Sequence, residues 1–141
     1  MNREILFRAK CLGNWRYGCY LCFVKKPTNS RCNMNYRDFI VTNGDYGEYY
    51  YPITELSSIC QYTGLNDING TKIFEGDIIE GLKYKHFVKY DNVQASYVAI
   101  NVDYPEDSGC HITEQWINEC GKAVIGNIFD NKELIKNNIQ L

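Results

Sequence analysis

The residues with the most chemical potential in this chain are its thiols and imidazoles, seven Cys and two His in 141 residues. Cys19-Tyr20-Leu21-Cys22 has the spacing of half a zinc site, because thiolates so placed can share one tetrahedral ion. A second pair is missing. Cys32 and Cys60 stand alone, and Cys110-His111 is adjacent rather than spaced. In a strand, a three-residue separation puts Cys19 and Cys22 on opposite faces, which spoils the chelate. A redox dithiol normally opens a helix beside a βαβ unit, and the sequence shows no such unit. The thiols therefore read as small packed hydrophobes. No metal and no cofactor is expected.

Nucleophilic catalysis would need a Cys–His pair, Cys110 or Cys120 with His86 or His111, since such partners meet in space rather than in sequence. No local motif supports one. Asp67, Glu75 and Asp77 cluster around glycines, where carboxylates commonly accept hydrogen bonds from turn backbone, and a structural role is expected for them. Asn69-Gly70-Thr71 matches a glycosylation sequon that has no use without export. No catalytic residue is assigned, and the expectation is a protein that is not an enzyme.

Arg8, Lys10, Arg16, Lys25, Lys26, Arg31 and Arg37 give the first 37 residues a basic excess, interleaved with Trp15, Tyr17, Tyr20 and Tyr36. Small barrels bind single strands by stacking bases on aromatics over a positive groove. The competing reading places the aromatics in a core and the charges on a solvated face. A net charge of -2 argues against a protein that tracks a phosphate backbone as a whole. Nucleic-acid binding is thus the alternative, behind a protein partner or self-association as homodimer or higher oligomer through exposed strand edges.

These residues must be positioned by β-structure. Twelve Tyr and a 45% hydrophobic content suit half-buried pleated surfaces in a globular chain. Strands are expected at 4–9, 17–24, 39–42, 46–51, 78–82, 84–90, 93–102, 112–117 and 123–129. Residues 25–35 read as a loop and 103–109 as a short acidic loop. Residues 52–59 fit either a short helix or an extended segment. Asp130 with Glu133 has capping-box chemistry and predicts a short C-terminal helix over 131–137. Many short strands between turns indicate a mainly β fold, a small SH3-like or partly open β-barrel, as a single domain over 1–141. The longest apolar run, residues 19–24, is too short to span a bilayer, and no secretory h-region is visible. The expected compartment is the cytoplasm, with reduced thiols and no membrane partner.

Turn chemistry is densest from Gln61 to Ile79, where Gly64, Gly70 and Gly76 recur at six-residue intervals and Asn69-Gly70 marks a turn. Gln61-Tyr62-Thr63-Gly64-Leu65, Asn69-Gly70 and Ile73-Phe74-Glu75-Gly76-Asp77-Ile78-Ile79 resemble the signature of the YopX family of phage and prophage proteins. Arg3-Glu4-Ile5-Leu6-Phe7-Arg8-Ala9 resembles that family's opening strand, and Val124-Ile125-Gly126-Asn127-Ile128-Phe129 through Leu134 its closing motif. Residues 11–52 match no family block and form a divergent region. Lys10 stands where the family commonly has Trp. The resemblance implies a small, mainly β accessory protein in a bacterial host and supplies no catalytic residue.

Overall fold

The computed structural model describes residues 3–23 and 37–135. Packing divides the chain into two compact units, Met1–Gln61 and Tyr62–Leu141, within the stretch that the sequence reads as one domain. The expected loop at 25–35 lies outside the described residues.

The first unit holds β1 (Phe7–Cys11), β2 (Asn14–Cys22), β3 (Asp38–Gly44), β4 (Gly47–Pro52) and the opening of β5 (Glu55–Asn66). All neighbours are antiparallel, in the order β4-β3-β2-β1-β5. Alternation along β1 turns Ala9 and Cys11 into a core with Ile40 and Ile53, flanked by Phe7, Tyr20, Tyr51 and Ile59. Residues 52–59 take the extended alternative. Ile53 N–H donates to Asp38 O at 2.9 Å and Thr54 N–H to Lys10 O at 3.1 Å, so these donors already serve neighbouring strands. The β1–β5 register shifts between Arg8 and Lys10. Ser58 covers the irregularity: its hydroxyl accepts from Lys10 N–H at 2.8 Å and donates to Glu55 O at 2.6 Å.

In the second unit, the end of β5 pairs with β6 (Lys72–Phe74). A five-stranded antiparallel sheet follows, built from β7 (Asp77–Glu80), β8 (Lys85–Asp91), β9 (Ser96–Asn101), β10 (Cys110–His111) and β11 (Ala123–Asn127), in the order β10-β9-β8-β7-β11. Both its faces are apolar. Ile78, Phe87, Val98 and Ile100 lie on one, against Ile128, Phe129 and Leu134. Ile79, Val88 and Ala99 lie on the other, against Ile73, Ile112 and Ile117.

The mainly β expectation holds, and the antiparallel sheets do not close into a barrel. Two local expectations need correction. Residues 112–117 do not form a strand, because β10 ends at His111 and α1 runs over Glu114–Cys120. Thr113 caps α1 by accepting Trp116 N–H at 3.1 Å, Glu114 sits in its first turn, and Gly121 closes it at φ 60°. The apolar residues Trp116 and Ile117 fit a helical face as well as a strand, and the two caps decide. The capping box at Asp130 does not form either. Among the described residues only a 3-10 turn, Lys132–Leu134, follows it, with no side-chain cap, and positions 136–137 of the expected helix lie outside them. The side chain of Asn127 takes the N–H groups of Phe129 and Asp130 instead. Among the described residues, no helix is long and apolar enough to cross a membrane.

Candidate functional site

The glycine-punctuated stretch is built as a set of backbone clasps. Gly64, Gly70 and Gly76 all have positive φ, at 88°, 83° and 79°. Asp67 Oδ1 accepts the N–H groups of Asn69 and Thr71 at 2.8 and 2.9 Å, and its Oδ2 accepts Val124 N–H at 2.8 Å. Asp77 Oδ2 accepts Phe74 N–H at 2.8 Å, and Thr63 Oγ1 donates to Ile73 O at 2.8 Å. Glu75 lies in the turn between β6 and β7. The carboxylates of Asp67 and Asp77 thus hold turn backbone.

The thiols are spread through the described chain. Cys19 and Cys22 are exposed on β2, across from Val41 and Asp38, whereas Cys11 and Cys60 are buried. Cys32 lies outside the described residues. Among the described residues, no three His, Cys, Asp or Glu side chains gather where they could hold a metal ion. His111 is exposed, with Nδ1 3.3 Å from Ser96 Oγ. Cys110 and His86 line the same open cleft of about 380 Å³, together with Asn101, Asp107 and Ser108. Burial pushes the Cys110 thiol up, and its Sγ donates to Ala99 O at 3.8 Å. That is opposite to the lowered pKa of an activated nucleophile.

Behind this cleft lies a group the sequence reading did not single out. Lys122 is 1% exposed, and its Nζ donates to Lys83 O at 2.7 Å and Tyr84 O at 3.0 Å. The same ammonium is 3.3 Å from His86 Nδ1 and 5.3 Å from the Trp116 ring centre. Burial pulls the Lys122 pKa down. Burial, and then the nearby ammonium, push His86 down to about 4, so its ring is neutral at pH 7. The one signal in the sequence is position. Lys122 follows the glycine that ends α1 and precedes an apolar strand, where a lysine must either snorkel or find acceptors. Tyr84 itself has φ 57°, and the ammonium anchors this turn by its carbonyl.

In the first unit the basic and aromatic residues separate by strand parity. Arg8 and Lys10 share a face with Trp15 and Tyr17, and the Arg8 guanidinium and Lys10 ammonium lie 4.8 and 5.5 Å from the Trp15 ring centre. Arg16 is on the other face, 4.3 Å from the Tyr51 ring centre. Tyr20 donates to Asp38 Oδ1 at 2.6 Å, which holds the carboxyl down and pushes the phenol up. Arg37 is exposed, and Lys25, Lys26, Arg31 and Tyr36 lie outside the described residues. Arg8 is only 6% exposed, so among the described residues the platform of the alternative reading is not a continuous open basic groove.

The open feature of this unit is β4. Among the described residues it pairs with β3 alone, and its residues Gly47 to Tyr50 are exposed. Tyr49 and Tyr50 are 44% and 48% exposed, and Tyr46 in the preceding turn is 96% exposed. Tyr49 stacks on Tyr51, and Tyr50 donates its phenol to Glu48 Oε2 at 2.8 Å.

The fold and these clasps define a mainly β protein whose glycine-rich turns are held by carboxylate bonds to backbone N–H groups. A family model described as YopX protein matches residues 7–136, and the chain belongs to the YopX family. The match runs through residues 11–52, which no motif read from the sequence reaches. No curated protein matches the chain. A solved structure, the crystal structure of protein EF1440 from Enterococcus faecalis, is similar at 22% identity and a TM-score of 0.51, over 96% of this chain and 100% of that one. That likeness concerns the fold.

Proposed function

We propose that this protein is a phage or prophage accessory protein acting in the bacterial cytoplasm as a non-enzymatic interaction module, through a protein partner or a second copy of itself. The observation that carries this reading is β4, a tyrosine-rich strand paired on one side among the described residues, with its leading residues exposed. An open edge offers main-chain hydrogen bonds, and neighbouring tyrosines add contact area at low entropic cost. The thiol and imidazole of the cleft support the non-enzymatic part, since Cys110 is shifted towards the protonated form rather than the thiolate.

Nucleic acid is the second reading, favoured by Trp15 between Arg8 and Lys10 and by the charge of the first unit. Residues 1–61 carry eight Lys and Arg against five Asp and Glu. A pull-down from a bacterial host, read for protein and nucleic acid, separates the two. The interaction module should retain a protein or its own untagged copy after nuclease treatment. A Tyr49→Ser/Tyr50→Ser variant with an unchanged melt should lose it. Recovery of nucleic acid alone, released by salt and equal for both forms, overturns the proposal.

A further inference from the structure

We infer that β4 pairs antiparallel with β4 of a second copy of this chain, in the register that sets Tyr49 opposite the partner's Tyr49. The inference rests on the interaction-module reading above and names its occupant. The β3–β4 ladder decides which backbone groups are on offer. Ile53 N–H donates to Asp38 O at 2.9 Å, and the register continues through Phe39↔Pro52, Ile40↔Tyr51, Val41↔Tyr50, Thr42↔Tyr49 and Asn43↔Glu48. Hydrogen-bonded and non-hydrogen-bonded pairs alternate along an antiparallel ladder. Tyr49 and Tyr51 therefore turn their N–H and C=O towards β3, while Glu48, Tyr50 and Pro52 turn theirs away. Pro52 fits this assignment, because it sits where β3 needs no donor. Among the described residues, the outer edge thus presents both groups of Glu48, both groups of Tyr50 and only the carbonyl of Pro52.

Two symmetric registers can use these groups. Centring on Tyr50 sets Glu48 opposite the partner's Pro52, so the Glu48 carbonyl meets a residue with no N–H. Centring on Tyr49 sets Glu48 opposite the partner's Tyr50 and Tyr50 opposite the partner's Glu48. Every outward N–H and C=O of these two residues then finds its complement. The side chains are complementary as well, a carboxylate facing a phenol that already donates to that carboxylate within one chain. The two Tyr49 residues meet on the two-fold axis as a non-hydrogen-bonded pair, with Cα atoms about 4.5 Å apart. Aromatic pairs stabilise antiparallel strands at such positions. The contact is isologous and closes as a dimer rather than a fibre.

The test is the molar mass of the full chain by light scattering over a concentration series. Wild type should pass from monomer to dimer as concentration rises. Tyr50→Pro removes an outward N–H that β3 does not use, and should stay monomeric where wild type is dimeric. Tyr50→Phe removes the phenol donor and should dimerise at higher concentration than wild type. If Tyr50→Pro melts earlier, a second measurement decides: with Cys19→Ser and Cys22→Ser in place, Tyr49→Cys should oxidise to a linked dimer and Tyr50→Cys should not. A dimer undiminished in Tyr50→Pro of unchanged melt, or linkage as efficient at 50 as at 49, overturns the register. Wild type monomeric throughout overturns the inference. The interaction-module reading then survives if the pull-down still retains a protein that the Tyr49→Ser/Tyr50→Ser variant loses, and falls with it if nothing is retained.

Discussion

Asp67 and Val124, 57 residues apart, are joined by a hydrogen bond of 2.8 Å from the Val124 backbone N–H to Asp67 Oδ2. The other carboxylate oxygen closes the turn at Asn69 and Thr71. Ile68 N–H reaches Lys122 O at 3.1 Å beside this bond. One buried side chain therefore shapes the turn and docks it on the start of β11.

Asp67→Asn should separate these roles. An amide oxygen can keep the two turn bonds, but its NH₂ then faces the Val124 N–H, donor against donor. A loss of about 1–3 kcal/mol is expected for Asn and a larger one for Ala, which abandons three backbone donors. Hydrogen exchange read residue by residue checks this. Val124 N–H should lose protection in Asp67→Asn while Thr71 N–H keeps it; unchanged protection at Val124 sinks the clasp.

Gly70 and Gly81 are required for different physical reasons. Gly70 has φ 83° and open space around an added Cβ, so Gly70→Ala should cost only the left-handed backbone penalty, about 1–2 kcal/mol, and Gly70→Val more. At Gly81 an added Cβ would lie 2.0 Å from Cys120 O, a backbone atom that cannot swing aside. Gly81→Ala should therefore lower the melting temperature more than Gly70→Ala. The reverse order in thermal melts contradicts the close approach of Gly81 to the end of α1.

Much of this was legible from sequence because it is local. The Asn69-Gly70 turn, the hairpin of β3 and β4 and the acidic loop at 103–109 follow from residue types within a few positions. The failures are also local, at places where two local signals compete. At 112–117 the β-branched and aromatic content suggested a strand, while Thr113 and Gly121 were the caps of a helix. At Asp130 the capping-box spacing was present, but Asn127 had already taken the N–H groups of Phe129 and Asp130. Lys122 was missed for another reason. Its partners, Lys83, Tyr84 and His86, are 36 to 39 residues away, and two of them contribute carbonyls that every residue has.

Thiol reactivity should follow burial. In the native chain a water-soluble maleimide should label Cys19 and Cys22 quickly, and Cys11 and Cys60 only as the first unit opens. Peptide mapping after short exposure measures this. Early labelling of Cys60, which is fully buried in β5, contradicts the pairing of β5 with β1.

His86 and Lys122 should set an acid limb of the stability curve. His86 is pushed down to about 4 in the folded chain, against an ordinary value near 6.5. Between these values the unfolded chain binds a proton that the folded chain does not, so stability falls as pH drops from 6.5 towards 4. Above 6.5 the contribution is fully present, and below 4 no more is lost. After allowing for partial solvent screening the effect is about 1–2 kcal/mol. Melts of wild type and His86→Gln across pH 4–7 isolate it, because acidic groups common to both cancel in the difference. The wild-type curve should be steeper in that window. Lys122→Met tests the cause. Without the ammonium the His86 pKa should rise, while the carbonyls of Lys83 and Tyr84 lose their donor at a cost of about 1–3 kcal/mol. NMR titration of the His86 ring reads the first effect and thermal melts the second. A His86 pKa unmoved by Lys122→Met would leave burial alone as its cause, and identical pH slopes in wild type and His86→Gln would remove His86 from the acid limb altogether.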